Sequence, residues 1–291
     1  MRQRGGAAMR ETLTIGLAQW LAEPGAPDVN LATALDLIGK LADDGAELVV
    51  LPELWPSGYE PTTLTKDAAL AAQPLDGPRM QRLRDVARAR KIWLAPGSMP
   101  EPGLEGIFNT AALVDPAGDI VATHRKAHLY GDHERAAFIA GDRLTVVQTD
   151  DLGTVGLCVC YDGDFPESAR AMRAAGARFV ISPCAYEAQA AIWWDRLYPG
   201  HALANGQWWI LVNQVGANDT ITLLGASRVL SPFGEVLVEA PRAAVGERPG
   251  AATVLVQVAL AAVSARADAE LGDLWAERRP EIYATMTEAD R

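Results

Sequence analysis

The sequence predicts an α/β domain built on mixed sheets with helices packed outside them. Three observations carry this. Apolar strand-like runs alternate with helical periodicities before residue 100 and again after Cys160. Between those regions the pattern changes to paired strands joined by turn residues, which a purely doubly wound sheet would not need. The 291 residues are 49% apolar and 22% charged, enough for one large core, and no linker, repeat or low-complexity stretch divides them.

The elements follow in order. Residues 12–19 read as a first strand. Residues 28–44 set Val29, Leu31, Leu35, Ile38 and Leu41 at helical spacing, with Asp28 as N-cap and Gly45 past the end. Residues 47–51 form a second strand closing on Pro52-Glu53. Residues 54–76 read as loop, with Pro56, Gly58, Pro61 and Pro74; within it Trp55 and Tyr59 have apolar bodies and polar tips suited to a pocket. Residues 77–90 read as a helix and 92–96 as the third strand. Strands over 109–114 and 120–126 flank Asp115-Pro116-Ala117-Gly118-Asp119, a hairpin signal. Residues 128–142 are polar and irregular. A second strand pair covers 144–149 and 154–160, then a helix 167–175, a strand 179–183, a Trp-bearing helix 190–204 and a strand 208–213. Strands 227–230 and 235–238 flank Pro232-Phe233-Gly234, residues 252–258 form the last strand, and a charged, helix-prone tail begins at Ala265.

The net charge of −11 opposes nucleic acid or an anionic membrane as partner. Three cysteines do not make a disulfide framework and fit a reducing, cytoplasmic setting. No apolar stretch is long enough to span a membrane. Residues 1–10 carry arginines without an apolar core, so they read as a disordered start and not as a secretory leader.

Chemistry concentrates at strand ends, where α/β sheets place their sites. Glu53 ends LVVLPE, Lys126 ends IVATHRK and Cys160 ends VGLCVC. Asp162-Gly163-Asp164 and Phe165-Pro166 then turn the chain into a helix whose first N–H groups could steady an oxyanion. The reading of cysteine as a small buried hydrophobe suits Cys158, inside the strand, better than Cys160. A thiol needs a base to become the working thiolate, and a cation can offset the developing oxyanion; glutamate and lysine supply both. Taken singly, Glu53 and Lys126 could equally be solvated strand-end charges.

Three motifs in order resemble the nitrilase superfamily of carbon–nitrogen hydrolases. LPELWPSGY (51–59) resembles its glutamate motif, HRKAHLYGDHERAAFIAGD (124–142) its lysine motif and CYDGDFPE (160–167) its nucleophile motif. GASRVLSPFGEVL (225–237) and ERRPEIYATM (277–286) resemble its late hairpin and its tail. The resemblance implies a four-layer-forming α-β-β-α sandwich with mixed sheets over 11–264, with residues 265–291 packing at the interface of a homodimer or larger homo-oligomer. It implies Glu53 as general base, Lys126 as oxyanion stabiliser, Cys160 as nucleophile and Glu134 as a second glutamate that positions base and substrate. Substrate contacts fall to Tyr59, the backbone N–H of Tyr161, Cys184, Ala185 and Tyr186, with Trp193 and Trp194 as wall or core. No metal or organic cofactor is implied. His124, His128 and His133 with Asp132 and Glu134 resemble a ligand cluster, but Lys126 among them would repel a cation.

The implied activity is hydrolysis of a small amide through a cysteine thioester. N-carbamoyl amine hydrolysis, nitrile hydrolysis and a silent scaffold are the alternatives; an intact Glu–Lys–Cys set opposes the last. True nitrilases resemble Cys-Trp-Glu at the nucleophile, whereas here stands Cys160-Tyr161-Asp162. Carbamoyl amino acid hydrolases of the family carry arginines just after the nucleophile motif's third residue, where this chain has Gly163 and Asp164, and Glu187 lies near the other pocket wall, so the resemblance implies a neutral or amine-bearing amide.

Overall fold

The computed structural model of the chain describes residues 9–283. In the first half β1 (Leu13–Gln19), α1 (Pro27–Asp43), β2 (Leu48–Val50), α2 (Leu64–Ala71), α3 (Pro78–Arg90) and β3 (Trp93–Ala95) precede β4 (Ser98–Pro102), β5 (Ile107–Val114), β6 (Ile120–Arg125) and α4 (Gly131–Ala137). The second half runs β7 (Thr145–Gln148), β8 (Thr154–Leu157), α5 (Pro166–Ala174), β9 (Phe179–Cys184), α6 (Ala191–Asn205) and β10 (Trp208–Asn213). It ends with β11 (Val215–Ala217), β12 (Thr222–Leu224), β13 (Arg228–Leu230), β14 (Val236–Glu239), β15 (Ala252–Val258) and α7 (Leu260–Ala276).

Two mixed sheets result. One has the order β15-β1-β2-β3-β5-β4 with β6 on β5; the other has β14-β13-β10-β9-β8-β7. β1, β2 and β3 are parallel, as are β8, β9 and β10, and antiparallel hairpins extend both sheets outward. The period-two alternation of strand side chains builds the layers. Ile15, Leu17 and Val50 of one sheet meet Leu157, Ile181 and Ile210 of the other in a core between the sheets. The opposite face of the first sheet, Ala18 and Val49, packs under Ile38 and Leu41 of α1 and Leu83 of α3. The opposite face of the second, Val180 and Leu211, packs under Met172 of α5 and Trp194 and Tyr198 of α6. Helix, sheet, sheet, helix is the expected sandwich, and the central strands β1, β2, β9 and β10 are buried on both faces, which is why they read as nearly continuous apolar runs.

The structure departs from the sequence reading in several places. The 54–76 loop contains α2, and the irregular 128–142 stretch contains α4; β4, β11 and β12 had no sequence signal. α2 and α4 are short, eight and seven residues, and are held by tertiary burial of Leu64, Ala68 and Phe138 rather than by propensity. The strand expected over 154–160 ends at Leu157, and Cys160 starts a single 3-10 turn over Cys160–Asp164. The boundary expected at 264/265 falls inside α7, whose Trp275 stacks against Arg173 of α5 at 4.5 Å. Residues 1–8 of the expected disordered start and 284–291 of the tail lie outside the described residues. Arg10, within that expected start, pairs with Glu47 and Asp151 at 2.9 and 2.7 Å.

Candidate active site

Glu53, Lys126 and Cys160 converge from three strand ends. After β2, Pro52 leads to Glu53, whose N–H donates to the Cys184 carbonyl (3.3 Å) and whose carbonyl accepts from Gln214 Nε2 (2.8 Å). The next residue, Leu54, adopts φ +48°, and its N–H donates to Ser98 Oγ at 3.1 Å. Gly97 has to be glycine here: it sits at φ +72°, and a Cβ would fall 2.0 Å from the Pro52 oxygen. Lys126 leaves β6 with its N–H on the Asn109 carbonyl (2.8 Å) and its carbonyl on the N–H of Gly141 (2.8 Å).

The Lys126 side chain is fully buried between two carboxylates. Its Nζ lies 2.8 Å from Glu53 Oε1 and 2.7 Å from Glu134 Oε1. Burial alone would lower the lysine's pKa, but Glu134 and then Glu53 outweigh it and hold it well above its ordinary value. Glu134 Oε1 also accepts from Tyr59 Oη (2.8 Å), and its Oε2 accepts the N–H of Tyr130 (2.9 Å) at the start of α4. Glu53 Oε1 takes a second bond from Asn109 Nδ2 at 2.8 Å, while its buried Oε2 has no hydrogen-bond partner among the described residues. Burial, opposed by Lys126 and reinforced by Glu134, raises the Glu53 pKa.

Cys160 adopts φ +46°, a left-handed conformation that costs a non-glycine residue about 1–2 kcal/mol. Asp162 fixes the turn that imposes it. Its fully buried carboxylate accepts from the N–H groups of Val159 (3.0 Å), Ala127 (3.1 Å) and His128 (2.8 Å), and contacts His124 Nε2 (2.9 Å) and His128 Nδ1 (2.8 Å). Burial works against that charge, but these histidines and N–H groups hold Asp162 below the usual carboxylate range. One side chain thus ties the segment after Lys126 to the turn carrying Cys160. Tyr198 Oη holds the Cys160 carbonyl at 3.1 Å. The Cys160 thiol is pushed well above its ordinary pKa, first by its hydrogen bond with the Cys184 thiol, then by burial and by the Glu53 charge, with Lys126 opposing. At rest the cysteine is therefore a thiol and the lysine an ammonium.

A cavity of about 420 Å³ opens on Cys160, and Tyr59, Tyr161, Ala185 and Tyr186 are among its walls, as expected. Cys184 is not on that lining; it is fully buried and lies beside the Cys160 thiol. Trp194 is core, whereas Trp193 is 55% exposed and lines the cavity. The histidines separate: His124 and His128 serve Asp162, and His133 meets Tyr59 Oη at 2.9 Å. Among the described residues no three His, Cys, Asp or Glu side chains are grouped to hold a metal ion. Sequence reasoning missed Asn109, Asp162 and Gln214. Asp162 carried a signal, an acid inside a Gly-rich turn; the other two carried none.

A buried cysteine at a strained turn stands beside a glutamate and a lysine, chemistry suited to a cysteine hydrolase. The chain belongs to the carbon–nitrogen hydrolase family, whose model matches residues 14–268. It is 32% identical to a nitrilase of Pyrococcus abyssi over 88% of this chain and 94% of that protein. It is 34% identical to an (R)-stereoselective amidase of a Pseudomonas species over 79% and 81% of the two chains. An amidase from Nesterenkonia superposes with TM-score 0.76 at 28% identity, covering 97% and 99% of the two chains. A glutamate-to-leucine variant of that amidase, with the acetamide moiety of fluoroacetamide added to its active-site cysteine, superposes with TM-score 0.72 at 31% identity over 93% of this chain and 100% of the other.

Proposed function

We propose that the protein is an amidase in which Cys160 is the nucleophile, Glu53 the general base, Lys126 the oxyanion stabiliser and Glu134 the residue that positions Lys126. The observation that carries this is the division of labour within the buried set. Glu53 spends Oε1 on Lys126 and Asn109 and keeps Oε2 free, near enough to Cys160 for its charge to act on the thiol. Lys126 spends two of its three N–H donors on Glu53 and Glu134, which leaves one for substrate.

The steps follow from these roles. As Sγ attacks the amide carbon, Glu53 takes the thiol proton. The carbonyl oxygen becomes an oxyanion held by Lys126 and the Tyr161 N–H. Glu53 returns the proton to the leaving nitrogen, the carbon–nitrogen bond breaks, and a thioester remains on Cys160. Glu53 then takes a proton from water, whose oxygen attacks the thioester, and the thiol is regenerated with the carboxylic acid. Because the resting cysteine is neutral, proton transfer accompanies attack and no standing thiolate is needed. Solved amidase relatives and a relative bearing a covalent cysteine adduct support the reading.

The residue departures Tyr161 and Asp162 favour amides over nitriles. A homodimer fits the outward face of α6, where Ile192 and Leu203 are exposed, and three unpaired cysteines fit a cytoplasmic setting. The test is ammonia release from a panel of amides and nitriles. Cys160→Ala is expected to abolish release with the circular dichroism spectrum unchanged, while Cys158→Ala retains it. Intact-mass detection of an acyl adduct on wild type, absent in Cys160→Ala, is the second readout. Turnover by folded Cys160→Ala would sink the mechanism, and a nitrile outrunning every amide would replace amidase by nitrilase.

A further inference from the structure

The cavity over Cys160 is chemically lopsided. Its lining holds two carboxylates, Asp164 and Glu187, and no lysine, arginine or histidine. The remaining wall is mostly aromatic, with Tyr130, Tyr161 and Trp193 among its rings.

The two carboxylates are not equivalent. Asp164 is already engaged: Tyr186 Oη donates to it at 3.0 Å, the Tyr198 hydroxyl, shared with the Cys160 carbonyl, lies 3.1 Å away, and burial pushes its pKa up. Glu187 is half-buried within the segment joining β9 to α6; it shares a hydrogen bond with the Tyr130 hydroxyl and takes part in no ion pair among the described residues. Its charge is felt by the phenol of Tyr130, which burial and then Glu187 push up, and by the ring of His133. His133 does not serve as counterion, because burial lowers its pKa and it meets the Tyr59 hydroxyl instead. Beside Glu187, Trp193 keeps 55% of its surface open although it forms part of the cavity wall.

A half-buried carboxylate without a counterion is costly, and the partly exposed indole of Trp193 on the same cavity wall adds a second attraction for positive charge. Deeper in, Glu53, Glu134 and Lys126 sum to one further negative charge, so a substrate carboxylate meets repulsion along the whole path. We infer that Glu187, flanked by the rings of Tyr130 and Trp193, binds a cationic group at the far end of the substrate, so that the enzyme selects amides bearing a terminal ammonium. The inference rests on the amidase reading and adds the substrate class to it.

The experiment compares kcat/KM of the full chain for amides of one acyl length ending in methyl, ammonium or carboxylate. Wild type is expected to rank ammonium first and carboxylate last. In Glu187→Gln the ammonium-to-methyl ratio is expected to fall at least about tenfold, mainly through KM. A merely misfolded variant would lower both members together and leave the ratio alone. Glu187→Lys is expected to move the preference toward the carboxylate member. A wild-type preference for the carboxylate amide, or a ratio unmoved in both variants, overturns this assignment and leaves the amidase reading standing. Failure of wild type to hydrolyse any of the three overturns both.

Discussion

Lys126→Ala exposes the logic of the buried charge set most directly. The substitution removes the nitrogen that lies 2.8 Å from Glu53 and 2.7 Å from Glu134 and leaves two fully buried carboxylates facing the gap. They cannot both stay ionised, so one takes up a proton. At pH 7 that means protonating a group about 2.5 units above its ordinary value of 4.5, at about 1.4 kcal/mol per unit, or about 3.5 kcal/mol. The figure agrees with the about 3–5 kcal/mol typical of breaking a buried pair. The sign fixes the pH window. The variant's carboxyl has a folded pKa raised above its unfolded value, so the deficit is full at neutral pH and shrinks as pH falls toward 4.5, to about 0.7 kcal/mol at pH 5. Activity falls as well, by at least about 100-fold in kcat, because the oxyanion loses its cation and the protonated glutamate is no base. Urea unfolding of both proteins at pH 7 and pH 5, with ammonia release at pH 7, measures all three quantities. An equal stability deficit at both pH values, or a kcat near wild type, would refute the electrostatic account.

Other consequences follow from the same geometry. Because burial raises the Glu53 pKa and the reaction needs the carboxylate, kcat/KM is expected to rise with pH through a limb above the ordinary carboxylate value of 4.5; Glu53→Gln should cost at least about 100-fold and abolish that limb, and a limb surviving in the variant would assign it elsewhere. Asp162→Asn weakens five contacts that join the Lys126 segment to the Cys160 turn, so thermal unfolding should drop and iodoacetamide labelling of Cys160 should change; the stability that Asp162 contributes, with its folded pKa depressed, is lost only as pH falls toward that pKa, and an unchanged Tm at pH 7 would contradict its role. Deletion from Asp273 onward removes Trp275 and Arg278, whose stack lies on α5 next to the face proposed for pairing, and sedimentation should shift toward monomer or aggregate; an unchanged oligomer would separate the tail from assembly.

Much of the fold was legible because its central strands are buried on both faces. Such strands spell near-continuous apolar runs, and β1 and β10 lie within a residue of the segments read from sequence. What was illegible gains its stability from elsewhere in the chain. α2 follows Pro61 and carries Thr65, Lys66 and Asp67 in its first turn, so its eight residues show no strong period; contact of its Leu64 and Ala68 with Phe138 and Leu223 makes it a helix. β11 and β12 pair with each other over three residues each, and β12 adds a single bridge from Leu223 to Glu187, too short for periodicity to register.

The catalytic triplet was readable for a different reason. Glu53, Lys126 and Cys160 each stand just past a strand, and strand ends are where apolar runs stop in the sequence. Their relative placement is not a property of those runs. It is produced by two left-handed non-glycine residues, Leu54 and Cys160, one beside the base and one at the nucleophile, whose side chains give no hint of φ +48° and +46°. Leu54 is held by Ser98 and the Cys160 turn by Asp162, so the strain at each is offset by hydrogen bonds from a distant or turn-embedded polar group. The same separation explains the substrate wall. Glu187 could be singled out from sequence as a pocket acid, but only the fold shows that no basic side chain lines the cavity to neutralise it. Residue types mark the chemistry of this site; its selectivity lies in which charges the fold leaves without partners.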